Sequence, residues 1–170
     1  RLGAGDDGRI WVLDEYYHQV SAGTPAKSPK QYARDMIAFA QKWPSAPDVV
    51  VIDPAAEGFI LQLKEESNLR IRTANNAVLK GIQLVSSTLD AGALMITPRC
   101  KHLIDELMGY SWDPKAQERG EDKPIKQNDH GCDAVRYGLM AYERDITRRV
   151  MEIGRQQAAV AADPLAMARL

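Results

Sequence analysis

"PDVVVIDPAAEG", residues 47–58, decides the fold class of this chain. Four consecutive apolar residues that favour strands, Val49 to Ile52, predict a strand buried on both faces and therefore central in a sheet flanked by helices. Asp53 and Pro54 end that strand, and a helical pattern follows them. We expect Asp53 to lie at the carboxyl end of the strand, where open α/β sheets place their ligands. An N-cap for the following helix is an equally good interpretation of Asp53.

Segments typical of strands alternate with segments typical of helices on both sides of this stretch. Residues 9–18 are rich in β-branched and aromatic residues and follow the turn "GDDG", which predicts a hairpin whose first arm is residues 1–4. Residues 28–43 have a Ser N-cap, a Pro in the first turn and a Gln three residues after the cap, which predicts a helix. Further strands are predicted at residues 69–74 and 93–97. This alternation predicts an α/β domain with a layered sheet.

The last part of the chain contains a polar loop and an amphipathic helix. Residues 111–128 are charged and contain two prolines, which predicts a loop. The helix is expected to begin near Asp129, and from about Thr147 the sequence becomes rich in alanine and weakly patterned. We therefore expect a domain at residues 1–146 and a helical or disordered C-terminal tail at residues 147–170. The apolar stripe of the helix comprises Cys132, Val135, Leu139, Tyr142 and Ile146.

Composition and charge argue against several classes of protein. The chain has 22 Lys and Arg against 23 Asp and Glu, a net charge of −1, which argues against a dedicated basic DNA-wrapping protein but permits a local basic face. Cys100 and Cys132 have no zinc-like spacing, so we expect two reduced thiols. The sequence has no long apolar run, signal peptide or nucleotide-binding glycine motif, and we expect a soluble intracellular protein with no membrane partner.

"IKQNDHGCDAVRYGL", residues 125–139, places two acids and an imidazole in one helical turn. Asp129 is expected to cap the helix. Asp133 lies one turn further in, where Asp has poor helix propensity, and three residues separate it from His130, so both side chains project from one face. An ion pair with Arg136 is one interpretation of Asp133, and binding of a metal ion is the other.

The second interpretation joins Asp133 to Asp53 as ligands of a hard divalent cation, Mg²⁺ or Mn²⁺. Two such ions held by shared carboxylates are the usual means of hydrolysing a phosphodiester. His130 would then serve as a proton shuttle or as a partner of a ligand. Two carboxylates are few for two ions, and the chain offers three candidates for a third, which are Glu15, Glu57 and Glu106.

Four motifs in this order and spacing resemble a known family: "VVVIDPAA", "GIQLVSSTL", "LIDELMGYSWD" and "NDHGCDAVRYGL". Together they look like the C-terminal nuclease domain of the large terminase subunit of tailed phages, over roughly residues 9–146. The resemblance implies an α/β, RNase H-like fold, a mixed sheet flanked by helices with acids at its centre. It matches Asp53 to the family's second acid, Asp133 to its last acid and His130 to the accompanying histidine.

The family's first acid lies on the first strand of that fold, for which this sequence has no counterpart. We therefore expect the chain to lack its first strand or strands, with the missing ligand upstream of Arg1, and to cut DNA weakly or not at all by itself. The parent protein is expected to cut concatemeric double-stranded DNA with two Mg²⁺ or Mn²⁺ ions.

The resemblance also implies partners and a location. ATP would act only through an ATPase domain upstream, and the portal protein and the small terminase subunit would be protein partners. The expected location is the host cytoplasm, with a transient stay at the procapsid portal. Lys126 and Lys80 are our candidates for contacts with DNA phosphates.

Two alternatives remain open on the sequence. Another RNase H-like nuclease, such as a junction resolvase or a transposase core, would use similar acids. A non-catalytic packaging module that docks a partner would use the same acids as caps and ion pairs.

Overall fold

The computed structural model describes residues 1–162, which form two compact units. The first unit comprises residues 1–15 together with the described residues from 77 onward, and the second comprises Tyr16–Asn76. In chain order the elements are β1 (Leu2–Ala4), β2 (Ile10–Val12), α1 (Pro29–Gln41), β3 (Val50–Ile52), α2 (Glu57–Glu66), β4 (Ile71–Thr73), α3 (Val78–Asp90), β5 (Leu94–Ile96), α4 (Lys101–Gly109), α5 (Pro114–Gln117), α6 (His130–Ala141) and α7 (Glu143–Ala162).

The first unit contains a mixed sheet in the order β1-β2-β5. The predicted hairpin is confirmed, because β1 pairs antiparallel with β2 around a turn in which Gly8 has a φ of 78°. Strand β2 then pairs in parallel with β5, with Ile10 opposite Leu94. The strand expected at residues 9–18 is shorter than predicted, since pairing ends at Val12. The sheet is therefore of the expected mixed type.

Helix α6 packs against this sheet and against α3 and α4. Four members of the predicted stripe are buried, but Tyr142 is 39% exposed because α6 ends at Ala141 and a separate helix follows. Gly138 of α6 lies so close to Leu2 of β1 that a Cβ at this position would overlap the leucine side chain. The side chain of Arg136 similarly occupies the space beside Gly81 of α3. Close packing thus fixes α6, the helix that carries Asp133.

The carboxylate of Glu15, three residues after the end of β2, caps helix α4. The N-cap residue Cys100 makes no side-chain cap, and Glu15 supplies the missing acceptor. Its Oε1 accepts from the backbone N–H of His102 at 2.9 Å, and its Oε2 accepts from that of Leu103 at 3.0 Å. The ring Nδ1 of His102 also lies 2.9 Å from Oε1. Glu15, a candidate metal ligand on the sequence, is thereby engaged as a helix cap.

The second unit is built around a short parallel pair of strands, β3 and β4, with Ile52 opposite Thr73. The predicted capping box of α1 is confirmed, with Ser28 and Gln31 capping each other's backbone N–H. The expectation of a central strand buried on both faces is wrong for the described residues. Only Ile52 of β3 is fully buried, because β3 pairs with β4 alone in a two-stranded sheet.

The segments after α4 also differ from the predicted pattern. The loop at residues 111–128 contains the single-turn helix α5, capped by Asp113, and a bridge between Trp112 and Pro124. Residues 147–162 are helical as part of α7, while residues 163–170 of the predicted tail lie outside the described residues, and the boundary at residue 146 stays a prediction. None of the helices in residues 1–162 combines the length and apolar character that a membrane crossing requires.

The cap on α4 predicts a pH dependence of stability. Burial raises the pKa of Glu15, but hydrogen bonds from Leu103 and His102 outweigh it, and the net pKa lies below the ordinary 4.5. A lowered folded-state pKa adds stability above the unfolded-state value and loses it as the pH falls through the folded value. We expect Glu15→Gln to flatten the decline in unfolding free energy below pH 4.5, measured by urea denaturation.

Glu152→Gln is the control, because Glu152 is an exposed residue of α7. It should keep the wild-type decline in stability at acidic pH. An identical decline for Glu15→Gln and the wild type would contradict the cap.

Candidate metal centre

Asp133 binds two cationic side chains through its two carboxylate oxygens. Its Oδ1 accepts from Nη2 of Arg136 at 2.8 Å and from Nε at 3.2 Å. Its Oδ2 lies 3.4 Å from Nζ of Lys126. The ion pair with Arg136 that the sequence offered as one interpretation is therefore present. It does not decide the other interpretation, because ligand carboxylates also pair with neighbouring cations.

Lys126 also contacts the second acid of this turn. Its Nζ lies 3.1 Å from Oδ2 of Asp129, so one ammonium group faces the carboxylates of two acids that are four residues apart. The left-handed backbone of Asn128, with a φ of 51°, turns the chain between the lysine and the helix. Burial lowers the pKa of Lys126, but the hydrogen bond to Asp129 and the charges of Asp133 and Asp129 outweigh it and raise the net pKa.

Asp129 is the N-cap residue of α6, as expected, but its side chain makes no cap hydrogen bond. The acceptor comes from α4 instead. Oε2 of Glu106 accepts from the backbone N–H of Gly131 at 2.5 Å and from that of Cys132 at 3.2 Å. Glu106, another candidate metal ligand on the sequence, is thus a buried cap for the helix that carries Asp133.

Glu106 approaches the second position of α6 so closely that a side chain there would force the carboxylate to shift. A Cβ on Gly131 would stand 2.9 Å from Oε2 of Glu106 and 3.4 Å from the Leu103 backbone. The other oxygen of Glu106, Oε1, is buried without a hydrogen-bond partner in the described part of the chain. Twenty-five residues separate Glu106 from Gly131, so no local sequence pattern could have revealed this contact.

His130 and Cys132 occupy opposite environments on the first turn of α6. His130 is exposed at the first helical position, so its ring is open to solvent and to a substrate. Cys132 is buried, and burial, followed by the charges of Glu106 and the two aspartates, raises the pKa of its thiol to about 12. A thiol that stays protonated at neutral pH is a poor metal ligand. The turn therefore presents oxygen and imidazole groups rather than sulfur.

Asp53 belongs to the second unit, where it follows β3. Its Oδ1 accepts from the backbone N–H of Ala55 at 2.8 Å, which tightens the turn before α2. The N-cap residue of α2 is Ala56, so the prediction that Asp53 is the helix N-cap is wrong. Glu57, the remaining candidate third ligand, is an exposed residue in the first turn of α2. Asp53 as a metal ligand stays a prediction.

The described residues contain no group of three or more His, Cys, Asp or Glu side chains arranged to hold a metal ion. Two carboxylates of the first unit, Asp129 and Asp133, do converge on a single positive charge, that of Lys126. Carboxylate oxygens that already face a cation match the donors that Mg²⁺ and Mn²⁺ prefer. These two carboxylates therefore offer oxygen donors of the kind that a hard divalent cation prefers.

The predicted DNA contacts are both paired within the first unit. Lys80 of α3 binds Oε1 of Glu143 at 2.8 Å and is 57% exposed, and Lys126 is 60% exposed. In the loop at residues 111–128, Glu121 pairs with both Arg119 and Lys123, so its carboxylate offsets part of the positive charge of these two side chains. Among these cations, Lys126 is the one that directly contacts the acids of α6.

The buried cap gives a testable expectation for the first turn of α6. Glu106→Ala leaves two backbone N–H groups without an acceptor, so we expect a loss of about 2–4 kcal/mol in unfolding free energy. Amide hydrogen exchange at Gly131 and Cys132 should accelerate in the same variant. Glu106→Gln keeps one acceptor oxygen and should lose less. Unchanged exchange in Glu106→Ala would contradict the assignment of this cap.

Comparisons with known proteins identify relatives of this fold. A sequence profile described as "Terminase RNAseH like domain" matches residues 6–141. The large terminase subunit of Escherichia phage T5 is 30% identical over 103 residues, which make up 57% of this chain and 23% of that protein. The chain thus spans less than a quarter of this relative.

Solved structures give the same family. The large terminase of the thermophilic bacteriophage D6E in complex with ATP-gamma-S matches with a TM-score of 0.76 and 34% identity, over 81% of this chain and 34% of that one. A second crystal form of the D6E protein matches with a TM-score of 0.75. Since the profile match over residues 6–141 covers most of the sequence, the chain belongs to the family of terminase RNase H-like domains.

Proposed function

We propose that this chain is the nuclease part of a phage DNA-packaging terminase and that, in the protein to which it belongs, it hydrolyses phosphodiester bonds of concatemeric double-stranded DNA with Mg²⁺ or Mn²⁺. Membership of the terminase RNase H-like family supports the nuclease class. The single observation that carries the metal dependence is the convergence of Asp129 and Asp133 on one cation.

The acids have distinct roles in this proposal. Asp133 and Asp53 are the metal ligands that the family resemblance assigns; Asp133 lies in the first turn of α6, and Asp53 directly follows β3. Bound ions would supply an activated water and stabilise the leaving oxygen. Arg136 keeps Oδ1 of Asp133 in a fixed direction, because its guanidinium is 97% buried and binds that oxygen through two nitrogens.

His130 is the proposed proton-transfer residue. Its exposed ring, three residues before Asp133, is free to exchange protons with solvent and with a substrate oxygen. Imidazole is the side chain that most often serves as a general acid or base. This role rests on the position of His130 on the same helical turn as Asp133.

Substrate contact and partners complete the proposal. Lys126 and Lys80 are the proposed phosphate contacts, since exposed ammonium groups attract the DNA backbone without regard to sequence. The T5 and D6E relatives are much longer than this chain, so an ATP-driven motor, a portal and a small subunit are proposed partners of the larger protein. The proposed location is the host cytoplasm and, during packaging, the portal.

A second function, a non-catalytic docking module, is favoured by one observation. Both oxygens of Asp133 are engaged by cationic side chains, as in a purely structural ion-pair network. In that case the acids would stabilise α6 and do no chemistry, and the two functions predict opposite results for substitution of Asp133.

Plasmid nicking in Mn²⁺ distinguishes them. The assay compares the 170-residue chain with a version extended upstream of Arg1, in which we expect the faster cutting. In the extended protein, Asp133→Asn should reduce nicking by at least about 100-fold, because a lost metal ligand removes several kcal/mol of transition-state stabilisation. Thermal unfolding of the same variant should show a folded protein.

Asp145→Asn is the matched control, because Asp145 is an exposed acid paired with Arg148 on α7. It should cut at the wild-type rate. Equal rates for Asp133→Asn and the wild type, or no nicking by the extended protein in Mn²⁺, would contradict the nuclease proposal and favour the docking module.

A further inference from the structure

The ammonium group of Lys126 lies between the carboxylates of two acids. Its Nζ lies 3.1 Å from Oδ2 of Asp129 and 3.4 Å from Oδ2 of Asp133. Asp129 is 93% buried, and its Oδ2 has no hydrogen-bond partner in residues 1–162 other than Nζ of Lys126, so this ion pair is the contact that compensates its charge. A buried carboxylate that depends on one ammonium group requires a cation at this position.

The two cations around Asp133 differ in their freedom to leave. Arg136 is 97% buried, binds Oδ1 through two nitrogens and stacks on Tyr137, with 4.5 Å between its Cζ and the ring centroid. The Lys126 side chain is 60% exposed and joins its two acids from the loop before α6. A flexible exposed lysine can turn into solvent at little cost, whereas the arginine cannot.

We propose that Lys126 is a built-in counter-ion of the metal centre: a divalent cation displaces its ammonium group from between Asp129 and Asp133, so that Asp129 becomes a ligand beside Asp133. The displaced ammonium then binds a DNA phosphate. This inference rests on the proposed nuclease function and adds Asp129 as a ligand and Lys126 as the residue that links the two binding events.

The displacement couples metal binding to DNA binding. Without metal, the positive charge of Lys126 is neutralised by the two aspartates and attracts phosphate weakly. With metal in place, the same charge is free for the DNA backbone. Because such coupling is reciprocal, DNA that holds Lys126 also increases the affinity for metal by the same factor. Loading of the ion and loading of the substrate therefore favour each other.

Metal affinity of the 170-residue chain tests the first step without any nuclease assay. Mn²⁺ binding is followed by the electron paramagnetic resonance signal of free Mn²⁺. Lys126→Met keeps the aliphatic stem and removes the competitor, and we expect it to tighten Mn²⁺ binding roughly 3- to 10-fold. Asp129→Asn removes a ligand and should weaken binding by about 10-fold or more. The gain from Lys126→Met should shrink when both changes are combined.

Lys123→Met is the matched control, because Lys123 is an equally exposed lysine of the same loop that pairs with Glu121. It removes the same charge without touching the two aspartates. If Lys123→Met and Lys126→Met tighten Mn²⁺ binding equally, the effect comes from the loss of one positive charge anywhere in the loop, and the counter-ion role is overturned. Unchanged Mn²⁺ affinity in Lys126→Met, or no Mn²⁺ binding by any of these chains, overturns it as well.

DNA affinity with and without Ca²⁺ tests the second step by fluorescence anisotropy. The wild-type chain should bind a short duplex more tightly when Ca²⁺ is present, and Lys126→Met should lose most of this enhancement together with about one unit of the salt slope. An enhancement that persists in Lys126→Met overturns the link. The proposed function and this inference are tested by different measurements. Plasmid nicking decides the nuclease function, and Mn²⁺ binding by the variants decides the counter-ion role of Lys126.

Discussion

The position of Asp133 depends on a buried carboxylate that belongs to another helix. Glu106 of α4 accepts hydrogen bonds from the first free backbone N–H groups of α6, and Glu15, three residues after β2, does the same for α4. Each carboxylate satisfies donors that a helix cannot satisfy itself, and each lies at the positive end of a helix dipole. The segment after β2 thus orients α4 through Glu15, and α4 orients α6 through Glu106. The position of Asp133 therefore depends on both caps.

These two caps also explain why the turn before Asp133 tolerates so much negative charge. With Glu106 serving as the cap, Asp129 is released from that role and faces Lys126 instead. The turn holds two acids because two cations, Lys126 and Arg136, share it. Arg136 is buried in the core, whereas the Lys126 side chain is exposed. The arginine is therefore held in place beside the acids, and the lysine is able to exchange with another cation.

Local rules predicted the local features of this fold correctly. The hairpin around Gly8 and the capping box of Ser28 follow from short-range chemistry and agree with the structure. The caps from Glu15 and Glu106 join residues 87 and 25 positions apart, so no window of sequence contains both partners. Asp129 is at the N-cap position that the sequence predicted, but the carboxylate of Glu106, from a helix distant in sequence, accepts the hydrogen bonds that its side chain was expected to accept.

The glycines of "DHGCDAVRYG" have a consequence for the detection of related chains. Gly131 makes room for Glu106, and Gly138 makes room for Leu2, while Arg136 fills the space beside Gly81. The two glycines of this stretch, Gly131 and Gly138, serve packing rather than chemistry. A descendant that kept them and exchanged Asp133 for a neutral residue would still be recognised by its sequence, although it had become catalytically silent. A match to this stretch of sequence therefore indicates that the fold is retained, whereas catalytic activity is indicated only by the presence of the acids.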